Sequence, residues 1–216
     1  MTVDLRVLDD PARAAAELLV RAAGHVALAG GSTPARAYRL AAGLRPDWSG
    51  AHVWFGDERV VPPDDERSNY RLARESLLDR LAAAPAVHRV PTELGAEAGA
   101  ARYDEELAGV TLDLALLGIG PDGHTASLFP NAPALGERER RAVAAEPALE
   151  PFVERVTLTP PVFAAARLVV YLVTGEAKAE AARRAFADEP GAGTPASLIR
   201  GVETVALLDP AAASLL

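Results

Sequence analysis

LDLALLGIGPDGHTASLFP, residues 112–130, is the stretch whose reading decides the fold. Residues 112–117, apolar but for Asp113, form a run of strand length, and glycines follow at 118, 120 and 123. A strand buried on both faces that empties into a glycine loop belongs to a parallel sheet, where ligands meet the carboxyl ends of strands. The loop carries an acid, Asp122, and an imidazole, His124, two residues apart. A neutral imidazole can take a proton from water near pH 7.

Outward from this loop, short apolar runs alternate with helical stretches, which predicts an α/β fold with a mostly parallel sheet. Strands are expected at 5–8, 25–29, 53–55, 87–90, 112–117, 153–158, 167–173 and 202–208. Asp10 caps a helix with Pro11 in its first turn and Ala15, Leu18, Leu19 and Ala22 on one face. A second helix opens at Pro34, with Thr33 as its N-cap. Further helices are expected at 69–81, 96–107, 176–186 and 195–200. Residues 56–68 read as a long polar loop. Residues 131–150, rich in prolines and charges, read as a mobile surface segment. Neither an internal repeat nor a linker interrupts the chain, so residues 1–216 are expected to form one domain.

The chain has no cysteine, which excludes disulfides, thiolate metal sites and a cysteine nucleophile. Its net charge of −8 argues against broad nucleic-acid binding but not against a small anionic substrate held by a few aimed cations. Residues 1–10 lack an apolar signal core, and no apolar run is long enough to span a bilayer. A cytoplasmic protein with no nucleic-acid or membrane partner is expected, as a monomer or small homo-oligomer.

Four polar clusters follow predicted strands: Gly30-Gly31-Ser32-Thr33; Asp57-Glu58-Arg59; Asp122 with His124; and Thr174-Gly175 with Lys178. In a parallel sheet all four share one edge. The glycine-rich turn before Pro34 resembles an anion cradle, because backbone N–H groups and a helix N-terminus favour oxyanions; a tight turn with an N-cap is the plainer alternative. Lys178, in the first turn of its helix, is unfavourable with the dipole unless an anion is bound; otherwise it is a solvated lysine. Arg59 is either a cation for substrate or a partner of Asp57 or Glu58, with the internal ion pair favoured. Arg155 either reaches the phosphate as a bidentate clamp or points to solvent from an edge strand.

Residues 118–123 also match G-x-G-x-x-G, but Pro121 and Pro130 leave little room for the helix a dinucleotide site needs. His25, His52 and His88 stand isolated, each structural or exposed, with no metal-site spacing. There is no G-x-S-x-G elbow of a serine hydrolase.

Taken together, ALAGGSTPARAY (27–38), WFGDERVVPPDDERSNY (54–70), LALLGIGPDGHTASLFP (114–130), RVTLTPP (155–161), VTGEAKA (173–179) and PASLI (195–199) resemble the 6-phosphogluconolactonase family. The resemblance covers most of the chain. It implies a three-layer Rossmann-like fold with helices on both faces, shared with glucosamine-6-phosphate deaminases. It implies hydrolysis of 6-phospho-D-glucono-1,5-lactone, a small sugar phosphate lactone, in the oxidative pentose phosphate pathway, with neither metal nor organic cofactor. In that scheme the phosphate sits against Gly30, Gly31, Ser32 and Thr33, with Lys178 and Arg155 as cations. His124 is the general base, and Asp122 or Asp57 orients it or binds sugar hydroxyls. Asn69 supports them or contacts a hydroxyl. Arg59 or the glycine-loop N–H groups hold the oxyanion. Two rivals are a glucosamine-6-phosphate deaminase or isomerase, whose family carries an aromatic residue where Arg59 stands, and a non-catalytic sugar-phosphate sensor.

Overall fold

The structure, a computed structural model, describes every residue except Met1, Ala23, Leu149 and Pro151. In chain order its elements are β1 (Asp4–Val7), α1 (Pro11–Arg21), β2 (His25–Leu28), α2 (Ser32–Leu44), β3 (His52–Phe55), β4 (Asp57–Arg59), α3 (Asn69–Ser76), β5 (Ala86–Val87), α4 (Ala96–Glu106), β6 (Leu114–Leu117), β7 (Ala142–Ala145), β8 (Arg155–Leu158), α5 (Pro160–Ala165), β9 (Leu168–Val173), α6 (Ala179–Phe186), α7 (Pro195–Leu198) and β10 (Glu203–Leu208). Seven strands form one sheet in the order β1-β10-β9-β6-β2-β3-β5, with every neighbouring pair parallel. Helices pack around this sheet, as the α/β pattern predicts. No helix among the described residues is long and apolar enough to cross a membrane.

The interior strands are apolar on both faces because helices cover both. Leu114–Leu117 is wholly buried, and β9 and β10 are buried almost throughout. Helix α1 shows how the sequence sets an element. The Asp10 carboxylate accepts the Arg13 N–H at 3.0 Å, Pro11 supplies a preset φ, and Ala12, Ala15, Ala16 and Leu19 fall on one buried face.

A second sheet, β4-β8-β7, is antiparallel and corrects two expectations. Residues 56–68 are not all loop, because Asp57–Arg59 pairs with Arg155–Leu158. A three-residue polar strand has no hydrophobic period to announce it. Backbone pairing and the Glu58 carboxylate hold it instead. That carboxylate accepts N–H groups of Arg59, Asn69 and Tyr70 and the Ser68 hydroxyl, at 2.7–3.0 Å.

Residues 131–150, expected to be an irregular mobile segment, carry regular structure instead, a 3-10 turn at Pro133–Gly136 and strand β7; Leu149 lies outside the described residues. Ala142, Val143 and Ala145 are buried in β7. The charges before them serve one local knot: the Glu137 carboxylate accepts N–H groups of Arg138, Glu139 and Arg140 and the Arg140 side chain.

The three remaining histidines are not isolated. His25 and His52 open adjacent strands in register, and their rings stack with centroids 4.6 Å apart. His52 Nδ1 lies 3.0 Å from His88 Nε2, Trp54 Nε1 donates to His25 Nδ1 at 2.9 Å, and the Trp54 ring stacks on His88 at 3.9 Å. Strand pairing, invisible at separations of 27 to 36 residues in a sequence, creates the cluster.

Burial, then the neighbouring His52, lower the affinity of His25 and His88 for a proton; Asp113 and Glu106 respectively oppose this. The unfolded chain therefore binds more protons below its ordinary value of 6.5. The cluster's contribution to stability is full above that value and is lost as pH falls through it toward the lowered folded values. The denaturation midpoint should drop between about pH 7.5 and about pH 5.5, and a His25→Gln/His88→Gln protein should show a flatter profile. Parallel profiles for the two proteins would refute this role.

Candidate active site

Strands β9, β6, β2 and β3 are consecutive neighbours in the sheet, so the four polar clusters line one edge. Two buried phenols fix where the chain leaves that edge. Tyr38 OH donates to Ala29 O at 2.7 Å and receives Ala29 N–H at 2.8 Å, at the end of β2. Tyr103 OH treats Phe55 the same way at the end of β3, at 3.2 and 2.8 Å. Burial pushes both phenols far above their ordinary pKa, so they remain donors.

The imidazole is held with unusual economy. His124 Nδ1 lies 2.6 Å from Asp122 Oδ1, which also accepts the His124 backbone N–H at 3.1 Å. Burial works to raise the Asp122 carboxyl, but the bond to His124 and its charge outweigh this, so the net shift is downward. An ionised Asp122 keeps the proton on Nδ1 and leaves Nε2 as the open ring nitrogen.

Gly120 is where the imidazole needs a bare backbone. A Cβ there would lie 2.0 Å from His124 Nδ1 and 2.1 Å from Cε1. Ala126, also on the cavity wall, adopts φ 49°, a left-handed conformation uncommon for alanine. Arg184 of α6 ties the loop from behind, donating to Pro121 O at 2.8 Å and Asp122 O at 3.4 Å.

His124 faces a cavity of about 280 Å³ that it lines together with Gly30, Gly31, Asp57, Arg59, Arg155 and Lys178. An adjoining cavity of about 230 Å³ adds Ser32, Thr33 and Thr174 and shares Gly30, Gly31 and Lys178. Of the eleven site residues proposed from the sequence, all but Asp122 and Asn69 thus line one of the two adjoining cavities. Asp122 reaches the cleft only through His124, and Asn69 is buried. Its amide donates to the Asp57 carbonyl and carboxylate at 2.9 and 3.1 Å, and it presses on Gly30, where a Cβ would lie 2.0 Å from Asn69 Oδ1.

Thr33 is not the N-cap of α2. The cap is Gly31, at φ 107°, with no side-chain hydrogen bond, and the helix opens at Ser32. Thr33 Oγ1 is instead 2.8 Å from Thr174 Oγ1, across the cleft between two strands' loops. Pro34 has no N–H and Ala35 N–H closes on Gly31 O, so the open donors of this helix end are those of Ser32 and Thr33.

The cations are arranged differently from the expectation. Lys178 ends a 3-10 turn, Glu176–Lys178, and caps α6. Burial lowers its pKa, and Asp122 pulls the other way. Arg155 lies on β8, the central strand of the small sheet, and is 4% exposed, so it does not point to solvent from an edge.

Arg59 and Arg155 are direct cross-strand partners. Burial first, and then the Arg59 charge, lower the Arg155 pKa. Two like charges opposed across a ladder are destabilising on their own, which favours an anionic or electron-rich guest between them. The expected ion pair of Arg59 with Asp57 or Glu58 is absent, since Glu58 is occupied by four donors of the polar strand and α3. Arg59 Nη1 donates to Arg67 O at 2.7 Å, and its Nε is buried without a hydrogen-bond partner.

Sequence reasoning missed Ser127 and Arg184. Ser127 Oγ donates to Asp57 Oδ2 at 2.6 Å across 70 residues of chain. It stands in the same quoted stretch as His124, yet only the fold shows that it braces Asp57. A groove of about 350 Å³ also opens between α2 and α3. Arg71 pairs with Glu75 there at 2.7 Å, and the groove holds no imidazole.

Residues 6–207 match the family described as glucosamine-6-phosphate isomerases/6-phosphogluconolactonase. The chain is 38% identical over 206 residues to a 6-phosphogluconolactonase of Mycobacterium leprae, covering 88% of this chain and 83% of that one. It is 30% identical to the solved 6-phosphogluconolactonase of Trypanosoma brucei, with a TM-score of 0.83 over 100% of this chain and 99% of that one. A monomeric glucosamine-6-phosphate deaminase superposes with a TM-score of 0.86 over 100% of both chains at 21% identity, a likeness of fold alone.

Gly120→Ala should fold but lose the His124–Asp122 geometry. The expected result is a fall of roughly 10²–10⁴ in kcat/KM, the worth of a positioned general base, with an unchanged circular dichroism spectrum. Full activity in that variant would show that the ring has room the structure denies it.

Proposed function

Because the chain belongs to the glucosamine-6-phosphate isomerase/6-phosphogluconolactonase family, we propose that it hydrolyses 6-phospho-D-glucono-1,5-lactone to 6-phosphogluconate with His124 as general base. The observation that carries this is the Asp122-oriented imidazole in a cleft shared with Arg59, Arg155 and Lys178.

The phosphate binds where the two cavities join. Ser32 and Thr33 N–H groups donate to it, and Lys178 and Arg155 neutralise it. Anchoring that end carries the lactone C1 toward His124. Nε2 takes a proton from water as the water oxygen bonds to C1. The carbonyl becomes an oxyanion, to which the Arg59 guanidinium lining the cavity donates, while the Gly120 and Gly123 N–H groups are spent on His124 O and Gly120 O. Collapse of the intermediate breaks the bond from C1 to the ring oxygen. His124 returns its proton to that oxygen, so water is added overall and the base is regenerated. Asp57, braced by Ser127 and Asn69, accepts hydrogen bonds from sugar hydroxyls.

The test is hydrolysis of freshly made lactone, corrected for its uncatalysed decay. His124→Ala should lose roughly 10²–10⁴ of kcat and still fold. A folded His124→Ala protein with near-normal turnover would remove the mechanism. Lys178→Ala should raise KM about tenfold or more with a smaller effect on kcat, as expected for loss of a charge-assisted contact made in both ground and transition states. Ammonia release from glucosamine 6-phosphate in place of lactone hydrolysis would favour the deaminase branch of the family.

A further inference from the structure

We propose that β1 is a dimer seam: two copies of this chain pair antiparallel through residues 3–7, about a two-fold axis at Leu5. β1 is the outer strand of the seven-stranded sheet, and all four of its residues are exposed, Leu5 at 42% and Val7 at 53%.

The backbone decides which residues can pair. Leu8 N–H donates to Leu208 O at 2.8 Å, and in a ladder alternate residues turn their N–H and C=O groups to opposite sides. Even-numbered residues therefore face β10, while Leu5 and Val7 turn theirs outward, with no backbone partner among the described residues, and Val3 would continue the alternation. An antiparallel mate must set these residues against its own odd-numbered residues. With the axis at Leu5, Leu5 meets Leu5 and Val3 meets the partner's Val7, each pair exchanging N–H···O=C bonds in both directions.

The intervening positions then select the register. In the same alignment Asp4 stands opposite the partner's Arg6, and Arg6 opposite the partner's Asp4. These are non-hydrogen-bonded positions, where side chains approach most closely. A shift that keeps the backbone matched would centre the axis on Asp4 or on Arg6 and set like charges face to face. The segment VDLRV thus reads as a palindrome in both shape and charge.

In one copy Asp4 and Arg6 pair with each other at 2.6 Å, with side chains about half exposed, an arrangement that contributes little alone. Charges on an edge strand usually repel other strands. Here they repel the two neighbouring registers and favour the one centred on Leu5. The opposite edge, β5, is only two residues long, so head-to-tail growth of the sheet has little to pair with. No residue of β1 lines either cavity of the cleft, so pairing leaves the chemistry untouched.

Sedimentation equilibrium on the full chain should show a reversible dimer. Asp4→Arg and Arg6→Asp, each alone, should raise the dissociation constant about tenfold or more, since two attractions become two repulsions. The double exchange Asp4→Arg/Arg6→Asp should restore the dimer, and a mixture of the two single variants should form a heterodimer. Leu5→Pro, which removes only an outward N–H, should be monomeric with normal circular dichroism and normal activity. A chain that stays monomeric at every concentration, a dimer indifferent to the single charge reversals, or an open-ended series of oligomers would each overturn the proposal.

Discussion

Where a parallel strand ends, its last backbone groups lose their partners, and in a buried sheet edge that loss is costly. Tyr38 and Tyr103 meet this need at β2 and β3, each phenol satisfying both the N–H and the C=O of one residue. Two of the four polar clusters of the cleft hang from these two points. Gly30 and Gly31 leave the sheet immediately after Ala29, and Gly56 and Asp57 immediately after Phe55. Because the phenols are fully buried and locked at both ends, the loops start from fixed positions even though Gly31 and Ser32 are exposed.

The small antiparallel sheet supplies what the large one cannot. Parallel strands deliver loops to one edge but seldom place two long cations directly opposite each other. Pairing β4 with β8 does so with Arg59 and Arg155, while Glu58, the residue before Arg59, holds the start of α3. The local excess of positive charge is carried within a chain of net charge −8, so the attraction for an anion belongs to the cleft rather than to the whole surface.

The large sheet was legible in the sequence because its strands are apolar runs punctuated by glycine and proline, and most helices announce themselves by caps and periodicity. The cleft was legible to the extent that its residues follow those strands. The small sheet was not. Asp57-Glu58-Arg59 has no apolar period, and Ala142–Ala145 follows a charged run that looked solvated until Glu137 was seen to gather it. Thr33 looked like an N-cap by type and place, but its hydroxyl answers Thr174 from a distant strand. Ser127 and the histidine cluster depend on contacts between residues far apart in the chain, which no local pattern encodes.

The histidine cluster has a consequence of its own. It occupies the rim where β2 and β3 begin, whereas the cleft occupies the rim where they end, so strand length separates the two. Groups that far apart with no common partner contribute free energies that sum independently. Drift or engineering at the starting rim can therefore reset the acid tolerance of the molecule while turnover stays as it is, and the two traits are free to evolve on separate schedules.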